Sequence, residues 1–108
     1  MIRAGRLRER IRLQRQIGEH QDAVGGTVLD FDDYASPWAE RISGGGREFF
    51  KASAMFPEAN CVRRIRFHPG VSPLDQGIGG DGKRFEIVSV EDPDGTRAEL
   101  LLVCKELL

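Results

Sequence analysis

Arg6-Leu7-Arg8-Glu9-Arg10-Ile11-Arg12-Leu13 is the stretch that decides how this chain folds. Arginine falls on every second position, and the residues between are mostly apolar. Successive side chains of an extended strand point to opposite faces, so one face becomes cationic and the other joins a core. On a helix the same arginines would spread around the cylinder and break up any apolar stripe. The pattern therefore predicts a half-buried strand from about Leu7 to Arg15. Its outward row of guanidinium groups points to a partner, either nucleic acid or another protein subunit.

Beyond this strand, residues 16–33 mix Gly18, Gly25 and Gly26 with scattered acids and read as a long loop or an irregular hairpin. A structureless loop of that length is uncommon in a compact domain and is commonly functional or disordered. A second strand begins near Tyr34 and includes Trp38, Ala39 and Ile42, with Pro37 at an edge or among its first residues. Ser43, Gly44, Gly45 and Gly46 break it. Arg47 to Phe56 predicts a helix, capped by Ser43 or a glycine, with Glu48 in the first turn and Pro57 as the stop. Phe49, Ala52 and Phe56 share one face of it, and Phe50 and Ala54 lie on another. A helix this short must dock to persist.

A third strand covers about Asn60 to His68. There Cys61, Ile65 and Phe67 alternate with Arg64, Arg66 and His68, a second cationic ladder interrupted by Arg63. Pro69, Gly70 and Pro73 end it. A short strand follows around Leu74–Ile78, then a turn through Gly79, Gly80, Asp81 and Gly82. Arg84 to Glu91 reads as a strand, Asp92-Pro93-Asp94-Gly95 as a turn, and Ala98 to Leu107 as a strand apolar on both faces. That last strand belongs at the centre of a sheet or under another molecule. Five to six short antiparallel strands, with one short helix between strands two and three, predict a mainly β chain: a small barrel or rolled sheet. Its expected core is Trp38, Phe49, Phe67, Phe85, Ile87, Leu100 and Leu102.

At 108 residues the chain is sized for one domain spanning its whole length. The net charge of −1 gives no overall field toward nucleic acid or an anionic membrane, but it hides a local split. Residues 1–15 carry six arginines and one acid, whereas residues 16–40 carry six acids and no lysine or arginine. Basic edge and acidic loop could pair within one molecule or between neighbouring copies; both remain open here. No apolar run is long enough to cross a membrane, and the positive start leads into no secretory signal. Cys61 and Cys104 lack metal or redox spacing and read as buried, reduced thiols of an intracellular protein, with a disulfide between them left open.

Catalytic chemistry is not indicated. Gly77-Ile-Gly-Gly-Asp-Gly82-Lys83-Arg84 imitates a phosphate-binding loop, but Arg84 stands where Ser or Thr would hold magnesium. No buried strand precedes it and no helix follows, so it reads as a hairpin turn. His20 and His68 have no partner at metal-ligand spacing. The serines lack a nucleophile elbow, and the paired acids Asp32-Asp33 and Asp92/Asp94 sit in loops and turns. No catalytic, metal or cofactor-binding residue is assigned. Trp38 and the phenylalanines could form a stacking platform for single-stranded nucleic acid, but one Trp and one Tyr favour a core role.

In order and spacing these pieces resemble the phage head-tail joining proteins, also called head-closure, stopper or head-tail adaptor proteins. The resemblance is carried by Arg6-Leu-Arg-Glu-Arg-Ile-Arg-Leu-Gln14, Trp38-Ala39, Gly46-Arg-Glu-Phe-Phe50, Arg64-Ile-Arg66, Phe85-Glu-Ile-Val-Ser-Val90, Asp92-Pro-Asp-Gly95 and Leu100-Leu-Leu-Val-Cys104. It covers about Ala4 to Leu107. It departs at Asp22–Asp33, where similar proteins often carry a second tryptophan and this chain has Phe31.

The resemblance implies a structural subunit made in the bacterial cytoplasm and placed at the head-tail interface of a virion. There it would form a ring with other copies, twelve-fold by the resemblance, below a portal or adaptor protein. It would close the DNA-filled head and dock a tail-completion protein. Polar loops 16–33 and 69–82 would suit ordering on docking. Contact with packaged DNA would be electrostatic and indifferent to sequence. Arg8, Arg10, Arg12, Glu48, Phe50, Arg64 and Arg66 are the candidate interface. The competing reading is a small β-barrel nucleic-acid-binding module using the arginine-lined strands.

Overall fold

The structure, a computed structural model, describes residues 7–42 and 47–107, with the side chains of residues 47–50 outside that description. Eight strands and one helix follow in the order β1 (Glu9–Arg10), β2 (Arg12–Gln21), β3 (Thr27–Ala35), β4 (Trp38–Ile42), α1 (Arg47–Met55), β5 (Cys61–Arg66), β6 (Gln76–Ile78), β7 (Arg84–Glu91) and β8 (Glu99–Glu106). All pair antiparallel in one curled, half-barrel sheet of order β1-β4-β5-β8-β7-β6-β2-β3.

Eight strands replace the expected five to six for two reasons. The opening strand is interrupted at Ile11, whose amide bonds Pro37 O at 3.1 Å rather than a ladder partner. On one side of the break Arg10 pairs with Trp38 of β4, and on the other Arg12 pairs with Ile78 of β6. One short segment thus belongs to both flanks of the curled sheet. Residues 16–33 supply the rest of the difference, since they form the irregular hairpin of the two alternatives, with a register shift between Gln16 and Gly18. Asp22 builds its turn: the carboxylate accepts from the amides of Val24 at 3.0 Å and Gly26 at 2.7 Å. Gly25 takes a φ of 84° there, a conformation glycine adopts without a steric cost.

The alternation read from the opening residues holds in space. Ile11 and Leu13 are fully buried, while Arg8, Arg10 and Arg12 lie outside. They join Ala39, Ile65, Phe85, Ile87, Leu100 and Leu102 in the inner core, against which Phe67 is partly buried. Strand β8 is flanked by β5 and β7, which explains its two apolar faces. Leu100 and Leu102 point into the inner core, whereas Leu101 and Val103 meet Ala52, Ala59 and Val62 in a second cluster with Phe56 at its edge. Helix α1 covers this outer face. Phe49, placed in the expected core, lies outside the described side chains, as does the cap expected at Ser43–Gly46.

Cys61 and Cys104 face each other across β5 and β8, both buried and both free. Burial pushes the Cys104 thiol up to about 12 and moves Cys61 the same way, which keeps both neutral. Gly77 and Ile78 lie in β6 and Gly79 to Lys83 forms the β6–β7 turn, closed by the Gly79 amide on Lys83 O at 2.8 Å. The phosphate-loop imitation is therefore a hairpin. Among the described residues no helix is long and apolar enough to cross a membrane.

Candidate assembly surfaces

Two buried polar clusters fix the frame on which the surfaces sit. The first is centred on Arg63, the arginine that interrupts the β5 ladder, which is 0% exposed. Its guanidinium reaches Glu9 Oε1 at 2.9 Å and Glu106 Oε2 at 2.9 Å. Arg41 donates to the other oxygen of Glu106, and the Gly80 amide bonds Glu9 Oε2 at 3.0 Å. Partial burial pushes the Glu106 carboxyl up, but the bonds from Arg41 and Arg63 outweigh it and hold that group below the usual carboxylate range. The chain start, β5 and the end of β8 are thereby locked together.

The second cluster centres on Asp75, whose side chain is almost fully buried. It accepts from Tyr34 Oη at 2.6 Å and from the Ser72 amide at 3.1 Å. Arg15 stacks on the Tyr34 ring at 4.5 Å, donates to Gly70 O and reaches Asp75 at 3.5 Å. Burial first, and then the Asp75 hydrogen bond, raises the Tyr34 hydroxyl pKa well above its ordinary value. The segment 69–75 is therefore tied to the root of the β2–β3 hairpin, whereas the sequence suggested a loop that orders on docking. His68 belongs to the same corner: its Nδ1 accepts from the Gly70 amide at 3.2 Å and its ring lies 5.8 Å from that of Tyr34.

On this frame stand two unlike surfaces. One is the rim around β1 and the start of β4. Trp38, expected in the core, is 49% exposed there. Its neighbours explain this: it follows the Ser36-Pro37 link between β3 and β4, and Arg10 lies over the indole at 5.2 Å from the ring centroid. Leu7, Pro37, Trp38 and Arg66 line a shallow apolar hollow beside it. The other surface is the β2–β3 arm. Among the described residues its strands pair only with each other beyond Gln16; the arm carries Ile17 (64% exposed) and Leu29 (48%) on its strands and Val24 (91%) in its turn. Leu74, 89% exposed, stands across a groove from Leu29 and Phe31.

The candidate interface residues do not form one patch. Arg8 and Arg10 line a hollow with Trp38 and Asp81. Arg12 lies at the arm's root, 3.4 Å from Asp33. Arg64 is drawn inward to Glu40 at 2.6 Å and Glu99 at 3.5 Å, which leaves Arg66 as the exposed cation of β5. Glu48 and Phe50 lie outside the described side chains. What sequence reasoning missed is the arm as a presenter of exposed apolar side chains; the Asp22-to-Gly26 turn spacing was the available signal. Among the described residues no group of three or more His, Cys, Asp or Glu could hold a metal ion.

A family model described as phage head completion protein matches residues 2–107. The chain belongs to that family. Membership assigns it a structural role in the phage head and places it among virion components. Two solved structures are similar in fold. The solution structure of protein SF1141 from Shigella flexneri 2a has a TM-score of 0.70 at 22% identity, covering 97% of this chain and 96% of that one. A chain from the virion of the native gene transfer agent particle has a TM-score of 0.53 at 19% identity, covering 93% and 94%. No curated protein matches this head completion protein.

Proposed function

We propose that this head completion protein is a non-catalytic subunit of the phage or prophage head-tail connector. Copies form a ring below the portal or adaptor, close the DNA-filled head and offer the tail its docking surface. The observation that carries this is the β2–β3 arm, which presents Ile17 and Val24 largely exposed and Leu29 half exposed. A two-stranded ribbon is marginal alone in water, and an exposed apolar group of this kind marks a protein-binding surface. Family membership supplies the setting, and the charge split between the chain's beginning and its arm supplies unlike surfaces that suit a head-to-tail ring.

Electron microscopy of purified particles tests this reading. Density for the chain is expected as one ring between portal and tail; absence of the protein from purified particles overturns it. The nucleic-acid reading is the weaker one. Arg12 and Arg64 of the two ladders are engaged by Asp33, Glu40 and Glu99, so the cationic rows are partly neutralised from within. Contact with packaged DNA would then rest on Arg10 and Arg66, be weak, and fall steeply with salt.

A further inference from the structure

Strand β3 is one end of the sheet, and the other end is β1, only two residues long. Among the described residues β3, nine residues long, pairs with β2 alone, so its outward N–H and C=O groups meet no strand. From Thr27 to Asp33 every residue has a partner on β2, and no extra residue interrupts the run on the β3 side. Its side chains therefore alternate, with Asp30 and Asp32 on one face and Leu29, Phe31 and Asp33 on the other. An open edge of this length is a template for another strand.

The acids decide which strand fits. Two β3 strands laid antiparallel would bring Asp30, Asp32 and Asp33 against one another, which like charges oppose. Within the molecule these acids are only partly answered. Asp30 binds His20 at 2.9 Å and Asp33 lies 3.4 Å from Arg12, both exposed pairs. Arg15, directly opposite Asp32, turns instead to Tyr34, Gly70 and Asp75. The edge thus repels its own copy and suits a basic strand.

The chain supplies one at its start. Residues 1–6 carry Arg3 and Arg6 and no acid, and they lie outside the described residues. Extended, six residues span roughly 20 Å, most of the length of β3. Laid antiparallel with Arg6 opposite Asp30, the segment brings Arg3 opposite Asp33, because both pairs are spaced by three. The Glu9–Ala39 and Arg10–Trp38 pairs lead the chain, traced back from Arg10, along β4 toward Arg41 rather than toward β3 of the same copy.

We infer that residues 1–6 of one copy add as a strand to the free edge of β3 in the next, with Arg6 and Arg3 answering Asp30 and Asp33. The contact deepens the ring proposed above and rests on it. Each copy gives its start and receives on a different element, which is the head-to-tail relation a ring requires.

Amide exchange and cross-linking test this. The outward amides of β3 should exchange at least tenfold more slowly in particles than in the free protein. Unchanged exchange overturns the contact and leaves the acids as guards of an unpaired edge. Arg6→Asp and Asp30→Arg should each lower incorporation into particles about fivefold, as one exposed pair turns repulsive, and the chain carrying both should recover. Unimpaired single variants, or no recovery, overturn it. A chain with Ala4→Cys and Asp32→Cys, oxidised in particles, should give disulfide-linked multimers; a monomer closed on itself, or no disulfide, overturns it. Cys61 and Cys104 are buried and should not compete. Wild-type protein missing from particles would refute the connector reading. The contact would then be decided by single-cysteine Ala4→Cys and Asp32→Cys chains, mixed at high concentration under a mild oxidant: a mixed dimer supports it, and its absence overturns it.

Discussion

Arg63 lies over the ring of Phe85, its guanidinium carbon 4.1 Å from the ring centroid, inside the sheet rather than on it. The aromatic face takes one side of the planar cation, while Glu9 and Glu106 take its edges. A buried charge of this kind is tolerable only while every partner is present, because each lost partner leaves another ion uncompensated.

Arg63→Ala is therefore expected to destabilise the protein by about 3–5 kcal/mol in urea unfolding, since it removes the buried cation that Glu9 and Glu106 share. Arg63→Lys should restore only part of the loss, because an ammonium cannot serve both carboxylates in one plane. A loss below ~1 kcal/mol for the alanine variant would remove the cluster from the frame of the fold.

Gly77 is the other constraint on Phe85. A Cβ at that position would stand 2.2 Å from Phe85 Cζ. The ring is buried and stacked on Arg63, so it cannot swing clear without disturbing the cation. Gly77→Ala should cost about 1–3 kcal/mol, read as a lower melting temperature. An unchanged melting temperature would show that the ring yields freely.

Stability should fall in acid through Glu106. Its folded carboxyl titrates below the 4.5 expected of the unfolded chain, held down against burial by Arg41 and Arg63. The unfolded state thus binds the proton first as pH drops. The contribution is complete above about pH 4.5 and is lost as pH falls through the lower folded value. Glu106→Gln should be less stable at pH 7 and show a flatter decline below pH 5 in a series of melting curves. Parallel curves for variant and wild type would count against it.

Asp75→Ala removes the acceptor of Tyr34 Oη and of the Ser72 amide while keeping the chain path. It should cost about 1–3 kcal/mol and raise amide exchange through residues 70–75. Exchange unchanged in that segment would mean other contacts hold it.

Trp38→Ala should leave the isolated protein nearly as stable, within about 1 kcal/mol, because the indole is half exposed at the rim. The chain has one tryptophan, so its fluorescence reports this site alone. Emission should be open to acrylamide in the free protein and shift to the blue, with less quenching, once copies assemble. Identical quenching before and after assembly would place the hollow outside the interface.

The strand pattern was legible wherever burial follows local period. Arg8, Arg10 and Arg12 outside with Ile11 and Leu13 inside follow from alternation, and Leu100 to Cys104 announced a central strand. The failures share one cause, which is that the deciding contact lies far along the chain. Arg63 reads only as a break in a cationic ladder until Glu9 and Glu106 arrive from the two ends. Trp38 reads as core until Arg10 is laid across it at the edge of the sheet. The hairpin over residues 16–33 is rich in glycine and acid, and its strands are held by pairing with each other rather than by an apolar face. The candidate surfaces were half legible: the charge split is written in the sequence, but which of its charges pair within the chain needs the fold.

Strand β2 begins against β6, with Arg12 opposite Ile78, so the chain's opening segment cannot take its place until Ile78 has left the ribosome. Through most of synthesis its apolar side chains, Ile11 and Leu13, have no completed core to enter. Alternating them with arginine keeps that waiting segment soluble. The same charges would guard the nascent chain against premature association.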